Sequence, residues 1–162
     1  MDGIEEDGPR RPTLHLMVGL PGSGKTTLAK RLADEHGAVR LTKDDWLMTL
    51  YGTADLDRER VLVEALLWDL GARLLRIGVD VVLDYGLWAR CERDDYRARA
   101  EALGARVELH FLDASLDELE RRLAERNAGG SELDVPISTE QLRGYLPLFE
   151  RPDDDELGQQ HC

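Results

Sequence analysis

The chain has 162 residues, of which 42% are hydrophobic and 33% are charged, a balance that suits one globular domain with a sizeable core. A formal net charge of −12 disfavours a nucleic-acid partner unless a local basic patch overrides the mean field. The sequence has no apolar stretch long enough to cross a bilayer, and its acidic N-terminus lacks the pattern of a signal peptide. We therefore expect a cytoplasmic protein without membrane partners, either a monomer or a homodimer.

The first part of the chain predicts a strand, a loop and a helix. Residues 1–12 are polar and acidic, and we expect them to form a disordered tail. Residues 13–18 form a short apolar run that predicts a buried strand. Residues 27–36 place their apolar side chains at helical spacing, and Gly37 supplies a stop signal.

Strands and helices continue to alternate along the rest of the chain. The predicted elements are a strand at 39–41, a helix from Asp55 or Asp57 to about Ile77, a strand at 79–84, a helix at 90–103, a strand at 107–112, a helix from the capping box at Ser115 to about Asn127, and a short helix from Ser138 to Phe149. This alternation predicts a three-layer α/β/α domain at 13–150, with helices on both faces of a mostly parallel sheet of four to five strands. Residues 151–162 are acidic and are expected to form a second disordered tail.

The loop at 19–26 fits the pattern G-x-x-x-x-G-K-[ST] of a phosphate-binding P-loop, in the strand–loop–helix setting that the pattern requires. Its glycines permit close approach of the backbone to a phosphate, and successive N–H groups form an anion-binding nest. We expect Lys25 to reach the β- and γ-phosphates of ATP and the Thr26 hydroxyl to ligate Mg²⁺. The sequence therefore predicts the P-loop NTPase fold, with ATP and Mg²⁺ bound through Gly19, Leu20, Pro21, Gly22, Ser23, Gly24, Lys25, Thr26 and Thr27.

Two acids follow the second predicted strand, where ligands collect at the carboxyl edge of a parallel sheet. A carboxylate at this edge can take the proton of a hydroxyl acceptor, and Asp44 is our first candidate for that base, with Asp45 next. On an extended segment only one of the two faces the cleft. The alternative is that one of them caps a helix starting near Trp46.

Asp84 ends the third predicted strand and has the position of an acid that holds Mg²⁺ through water. The alternative is that Asp84 only caps the next turn. Trp46 and Trp88 follow strands two and three; each either stacks on an acceptor or belongs to ordinary packing. Trp68 lies in an apolar helix and is expected to belong to the core.

Arg122 and Arg126 are four residues apart and share one face of a predicted helix. Guanidinium groups suit phosphate oxygens and the charge of a transferring phosphoryl group, so we expect both to bind nucleotide and Arg126 to act in a lid beside Gly129. The alternative is an exposed face paired with neighbouring glutamates.

The histidines and cysteines show no spacing that indicates a metal site. His15 and His110 fall inside predicted strands and are expected to be structural, while His36 looks peripheral. Cys91 and Cys162 are expected to be free thiols. We therefore expect no cluster of His and Cys ligands.

Taken together, GLPGSGKTTLAKRLA, TKDDW, VVLDYGLW and LDASLDELERRLAERN resemble the small P-loop kinases, a group that includes chloramphenicol phosphotransferase and the kinase domain of phage-type polynucleotide kinase. The resemblance covers about residues 13 to 149. It implies that Lys25 and Thr26 bind ATP phosphates and Mg²⁺, that Asp44 deprotonates the acceptor hydroxyl, and that Arg122 and Arg126 surround the phosphates.

The chain departs from that family at two points. Related polynucleotide kinases carry an arginine shortly after the paired acids, whereas Trp46-Leu47-Met48 stands here, which fits an uncharged or mixed acceptor better than a nucleic-acid end. The usual fifth strand after the lid is also not evident. The expected activity is transfer of the γ-phosphoryl of ATP to a small-molecule hydroxyl; the alternatives are a polynucleotide 5′-hydroxyl kinase and a non-catalytic nucleotide-binding regulator.

Overall fold

A computed structural model describes residues 10–130 and 135–158. Its elements are β1 (Thr13–Val18), α1 (Lys25–His36), β2 (Val39–Leu41), α2 (Lys43–Tyr51), α3 (Asp57–Arg76), β3 (Val81–Gly86), α4 (Arg90–Ala102), β4 (Arg106–Phe111), α5 (Leu116–Gly129), α6 (Thr139–Tyr145) and α7 (Asp154–Gly158), with a 3₁₀ turn at Leu146–Leu148. Within the described residues no helix has the length and apolar character needed to span a membrane.

The strands form one sheet in the order β2-β3-β1-β4, and every neighbouring pair is parallel. β1 and β3 are therefore the inner strands, and the P-loop follows β1 at the carboxyl edge. The predicted parallel α/β sheet is confirmed with four strands, and the described residues supply no fifth.

The sheet is covered on both faces because its strands alternate their side chains. Leu14, Leu16 and Val18 of β1 pack with residues of α3 and α4 in the main core. Met17 of the same strand packs with Ala29 and Leu32 of α1 in a second cluster on the opposite face. Three layers follow from this division.

Several element boundaries differ from the sequence prediction, and one difference changes the site. β3 runs two residues further than expected, to Gly86, so Asp84 lies inside the strand rather than at its end. α2 begins at Lys43, directly after the extended Thr42, so both acids of the pair lie in its first turn, where the helix dipole favours negative charge. Their side chains are therefore separated by a helical step rather than by the strand alternation that we expected.

The tail expected at 151–162 is wrong for its first part. Asp154–Gly158 form α7, which Asp153 caps by accepting a hydrogen bond from the Glu156 N–H. The Glu156 side chain is buried and binds Arg93 of α4 through two hydrogen bonds of 2.7 and 3.0 Å. An acidic run that looks solvated in sequence thus carries one buried acid.

At the other end, the described part of the expected N-terminal tail contacts the domain. The Arg10 guanidinium hydrogen-bonds to the buried carboxylate of Asp80, and Arg11 donates to the Gly104 carbonyl at 3.0 Å. Residues 1–9 and 159–162, where the other tail predictions fall, lie outside the described residues.

Candidate active site

The P-loop backbone has the conformation that its glycines were expected to provide. Gly22 and Gly24 have φ values of 85° and 94°, in the left-handed region where a side chain is strained. Gly19 is required for space instead, because a Cβ there would lie 2.6 Å from the Ser23 Oγ. Gly24 ends the loop at the N-terminus of α1, so the loop leads into the positive end of a helix dipole.

The Lys25 side chain is buried among charged groups. Its ammonium donates to the Leu20 carbonyl at 2.8 Å. Burial lowers the pKa of Lys25 to about 8; the charge of Arg126 lowers it further, while Asp84 and Asp44 oppose the shift. The three side chains come from α5, β3 and α2, and their charges act on the same ammonium group.

The Thr26 hydroxyl donates a hydrogen bond of 3.0 Å to the Asp84 carboxylate. Asp84 is almost fully buried, and burial raises the pKa of its carboxyl, although Arg40, the Thr26 hydroxyl and Lys25 counteract that rise. A hydroxyl and a carboxylate side by side at a P-loop are oxygen donors of the kind that Mg²⁺ prefers. The donor set of Thr26 and Asp84 therefore fits Mg²⁺.

The paired acids have different surroundings. Asp45 accepts a hydrogen bond of 3.0 Å from Arg40 of β2, whose guanidinium also lies 3.7 Å from Asp84. Asp44 lies 3.3 Å from Arg60 of α3, and its side chain is 47% exposed. Asp45 thus shares Arg40 with Asp84, whereas Asp44 pairs with Arg60 and is the more exposed of the two acids, at 47% against 36%.

The segment after the paired acids does not line a pocket as one apolar surface. Leu47 is fully buried in the main core, whereas the side chain of its neighbour Trp46 is exposed on α2. An arginine does reach the acids, but it comes from α3 rather than from the next residues of the chain. The apolar Trp46-Leu47-Met48 therefore does not by itself disfavour a charged acceptor, because Arg60 supplies a positive charge beside Asp44 in space.

Trp88 contacts the P-loop through a hydrogen bond. Its Nε1 donates to the Gly19 carbonyl at 3.2 Å, and its ring lies against Tyr145 at a centroid distance of 4.8 Å. Leu87 just before it has a φ of 42°, an unusual value for a residue with a side chain. These contacts account for Trp88 by packing and hydrogen bonding, whereas the expected stacking on an acceptor stays a prediction. Trp68 packs against the main core beside Tyr96, as expected.

The arginines of α5 divide into two groups. Arg121 pairs with Glu118 and Glu125 on the exposed side of the helix. Arg122 also pairs with Glu118, at 2.6 Å, as the alternative anticipated, and its Nη1 lies 3.4 Å from the Gly22 carbonyl on the P-loop side. Arg126 donates to the Val135 carbonyl at 3.1 Å, and among the described residues its buried Nε has no hydrogen-bond partner. A guanidinium N–H without a partner beside Lys25 suits a phosphate oxygen.

A depression beside the P-loop lies where α1, α5 and the end of β4 meet. It is lined by Gly24, Thr27, Leu28, Arg31, Leu112 and Arg122. Its mixed apolar and cationic lining continues the phosphate cradle, so it is the natural extension of a site for the rest of a nucleotide.

Sequence reasoning missed three positioning residues, Arg40, Arg60 and Asn127. Asn127 donates to the Ile137 carbonyl at 2.8 Å and so ties the end of α5 to the segment that follows residue 134. Arg40 lies in β2, just before the paired acids at the start of α2. This closeness in sequence could have indicated that Arg40 pairs with one of the acids. Arg60 lies 16 residues from Asp44, and nothing local indicates that the two meet.

Comparisons with known proteins agree with this geometry. A family model described as an AAA domain matches residues 14–152. A probable adenylyl-sulfate kinase of Aeropyrum pernix is 34% identical over 148 residues, which cover 87% of this chain and 79% of that protein. With 85% or more of the chain matched in both cases, the resemblance extends well beyond the P-loop.

Two solved structures share the fold at lower identity. A chain of the Pnkp1/Rnl/Hen1 RNA repair complex superposes with a TM-score of 0.74 at 19% identity, covering 90% of this chain and 46% of that chain. A gluconokinase from Sinorhizobium meliloti 1021 gives a TM-score of 0.62 at 22% identity, covering 90% and 79%. This chain thus spans about half of the first protein and most of the second. From the family model, the kinase relative and the P-loop geometry, the chain belongs to the AAA-domain family and, within it, to the small nucleotide-binding P-loop kinases.

Proposed function

We propose that the chain is an ATP-dependent phosphotransferase that moves the γ-phosphoryl group of ATP to a hydroxyl of a small molecule, in the cytoplasm. The observation that carries the proposal is the P-loop with Thr26 hydrogen-bonded to Asp84 at 3.0 Å, beside a Lys25 ammonium on which the charges of Asp84, Arg126 and Asp44 act. A P-loop lysine, an acid on the Mg²⁺ side, a lid arginine and an accessible acid are the parts that phosphoryl transfer needs.

Binding of ATP is assigned to the P-loop. The backbone N–H groups at 19–26 bind the phosphates, and Lys25 moves from the Leu20 carbonyl to a phosphate oxygen. Thr26 and Asp84 would hold Mg²⁺. When bound, the ion neutralises charge on the phosphates.

Asp44 acts as the general base. Its carboxylate is accessible, and Arg60 orients it from one side while leaving the other side open. The acceptor hydroxyl donates its proton to the Asp44 Oδ while its oxygen attacks the γ-phosphorus and the bond to the β-phosphate oxygen breaks. Asp45 and Arg40 hold the neighbouring charges in place rather than taking the proton.

Arg122 and Arg126 act on the phosphates from the α5 side. The buried Nε of Arg126, which has no hydrogen-bond partner within residues 10–130 and 135–158, is available for the oxygens of the transferring group, where charge builds up in the transition state. Arg122 lies beside Gly22 and is assigned to the bound nucleotide. Arg126 also donates to the Val135 carbonyl, so a movement of the segment that begins at residue 135 would move the guanidinium with it.

A polynucleotide 5′-hydroxyl kinase is the second candidate, and Arg60 is the observation that favours it. A guanidinium at 3.3 Å from the candidate base can bind a phosphate of the acceptor next to the reacting hydroxyl. The net charge of −12 favours the small-molecule acceptor instead. A nucleotide-binding regulator remains the third candidate, because many P-loop proteins act as switches.

The test compares Asp44→Asn with Asp45→Asn under the same conditions. ATP turnover is measured with Mg²⁺ against a panel of sugars, nucleosides, antibiotic-like alcohols and 5′-hydroxyl oligonucleotides, and ATP binding is measured separately by calorimetry. We expect Asp44→Asn to lower acceptor-stimulated turnover by about 10²–10⁴-fold with unchanged ATP affinity.

The outcomes separate the candidates. Stimulation by oligonucleotides, with an affinity that falls steeply as salt rises, would select the polynucleotide kinase. Turnover that no acceptor raises would leave the regulator. Loss of transfer in Asp45→Asn but not in Asp44→Asn would refute the assignment of the base.

A further inference from the structure

A cluster of two imidazoles and a carboxylate joins β1 to the edge strand β4. His15 pairs with Glu108 in the parallel register, and His110 lies two residues further along the same face of β4. The His15 Nδ1 is 3.0 Å from the His110 Nε2 and 3.4 Å from the Glu108 Oε2, and the last two atoms are 3.8 Å apart. From the sequence we expected no cluster of His and Cys ligands, and we did not consider this His–Glu–His set. Glu108 and His110 lie 93 and 95 positions after His15, so local spacing does not indicate that the three residues meet.

Three side chains that meet within hydrogen-bonding distance are ordinarily a sign of packing alone. Here each residue offers a ligand atom, and all three atoms lie within 4.8 Å of one another, close enough to share one ion. A carboxylate facing two imidazole nitrogens also gives the group the charge that a divalent cation requires. The cluster is therefore more than a pair of stacked rings.

The spacing of the three atoms matches a tetrahedral ion. Zinc binds nitrogen and oxygen ligands at about 2.0–2.2 Å, so two tetrahedral ligands lie about 3.3–3.6 Å from each other. Octahedral Mg²⁺ at about 2.1 Å would bring neighbouring ligands to about 3.0 Å and prefers oxygen ligands. The observed distances of 3.0, 3.4 and 3.8 Å scatter around the tetrahedral value.

The two imidazoles differ in their access to solvent. His15 is 1% exposed, whereas the His110 side chain is 22% exposed. Imidazole nitrogens are common metal ligands, since a neutral ring offers a lone pair to the ion.

We propose that His15 Nδ1, His110 Nε2 and Glu108 together bind one Zn²⁺ ion, with a water in the fourth position. The Glu108 side chain is 44% exposed and His110 is 22% exposed, so solvent supplies both the fourth ligand and the path of entry. In the metal-free protein, one of the two imidazoles donates its N–H to the other across 3.0 Å. When Zn²⁺ binds, the donating ring shifts its proton to its second nitrogen, so the protein releases no proton.

This site is separate from the phosphate site. His15 lies in the middle of β1, four residues before Gly19, which corresponds to about 13 Å along a strand. Zinc here would link the edge strand to an inner strand of the sheet. β4 leads directly into α5, so the metal would stabilise the strand that supports the helix carrying Arg122 and Arg126.

The test uses the full chain in a Cys91→Ser, Cys162→Ser background, which removes the thiolates that would also bind zinc. Chelator-treated protein is titrated with Zn²⁺ by calorimetry and with Co²⁺ by visible spectroscopy, and Mg²⁺ is present in excess throughout. We expect one ion per chain, a tetrahedral Co²⁺ spectrum and a higher melting temperature with Zn²⁺. ATP turnover is not needed as a readout, so failure of the kinase proposal leaves this test intact.

Two variants decide the ligand set. Glu108→Gln and His110→Ala change partly exposed positions, so both variants should fold. Loss of a residue that only supports a ligand weakens metal binding by roughly 10–100-fold, and we expect each of these variants to weaken Zn²⁺ binding by more than that. Glu35→Gln is the matched control, because it removes an exposed carboxylate beside His36, outside the cluster, and should bind as the parent does. Absence of stoichiometric binding, or unchanged affinity in both variants, would overturn the proposal.

Discussion

The buried ion pair between Arg93 and Glu156 gives the sharpest prediction of stability. The two side chains are 1% and 3% exposed, and Glu156→Ala would leave the Arg93 charge without its carboxylate. Removing one partner of a buried pair costs about 3–5 kcal/mol. Because Arg93 keeps its hydrogen bonds to the Leu87 and Trp88 carbonyls, we expect the lower end, about 3 kcal/mol of unfolding free energy.

The assay is urea unfolding at neutral pH, followed by circular dichroism, with thermal unfolding as a second measure. For a domain of this length 1 kcal/mol corresponds to about 2–4 °C, so the melting temperature should fall by about 6–12 °C. Asp94→Ala is the control on the same helix; its exposed pair with Arg90 should contribute no measurable stability.

The pH dependence of the effect has a defined sign. Burial by itself raises the pKa of Glu156, but the hydrogen bonds and charge of Arg93 bring the pKa below its usual value. The contribution of Glu156 is then present above the ordinary glutamate pKa and disappears as pH falls through the folded-state value. The difference between variant and parent should therefore shrink in acid. If Glu156→Ala lowers the unfolding free energy at neutral pH by less than about 1 kcal/mol, this explanation is wrong, because the Arg93–Glu156 pair would then contribute no more than a solvent-exposed ion pair does.

Three further predictions concern the nucleotide site. ATP affinity should be flat below pH 8 and fall about tenfold per pH unit above it, with proton uptake seen by calorimetry in buffers of different ionisation enthalpy, because bound phosphates require a charged Lys25 whose free pKa is about 8. Arg126→Ala should lower kcat by at least about tenfold with little change in nucleotide affinity, whereas Arg121→Ala should change neither. Trp88→Phe should weaken ATP binding by about fivefold, because it removes the hydrogen bond to the Gly19 carbonyl that holds the P-loop.

Each of these has an outcome that contradicts it. ATP affinity that stays constant to pH 9.5 would mean that Lys25 is charged in the free protein. Equal kinetics for the Arg126 and Arg121 variants would show that the Arg126 guanidinium takes no part in phosphoryl transfer. A Trp88→Phe protein that binds ATP as the parent does would show that the indole N–H has no part in ordering the loop.

Local sequence patterns predicted most of the fold and the phosphate cradle. The P-loop depends on neighbouring residues, and the capping boxes at Ser115 and Ser138 depend on pairs three residues apart, so both are visible in sequence. The parallel sheet follows from alternation of elements. These features were predicted because the interactions that fix them are short in sequence.

The missed features all depend on contacts between distant residues. Arg60 reaches Asp44 from another helix, and Glu156 reaches Arg93 across 63 positions. A buried glutamate in an acidic run has the same local sequence as a solvated one, and only its partner distinguishes the two. The His15 cluster was missed for the same reason, since strand order decides that β1 and β4 are neighbours.

The link from α7 to the loop after β3 has a consequence for the newly made polypeptide. Arg93 holds the Leu87 and Trp88 carbonyls, Trp88 holds the P-loop, and Glu156 holds Arg93. During translation the P-loop sequence is made early, but Glu156 follows Arg93 by 63 residues. The P-loop should therefore reach its full affinity for ATP only after α7 has been synthesised and has packed against α4.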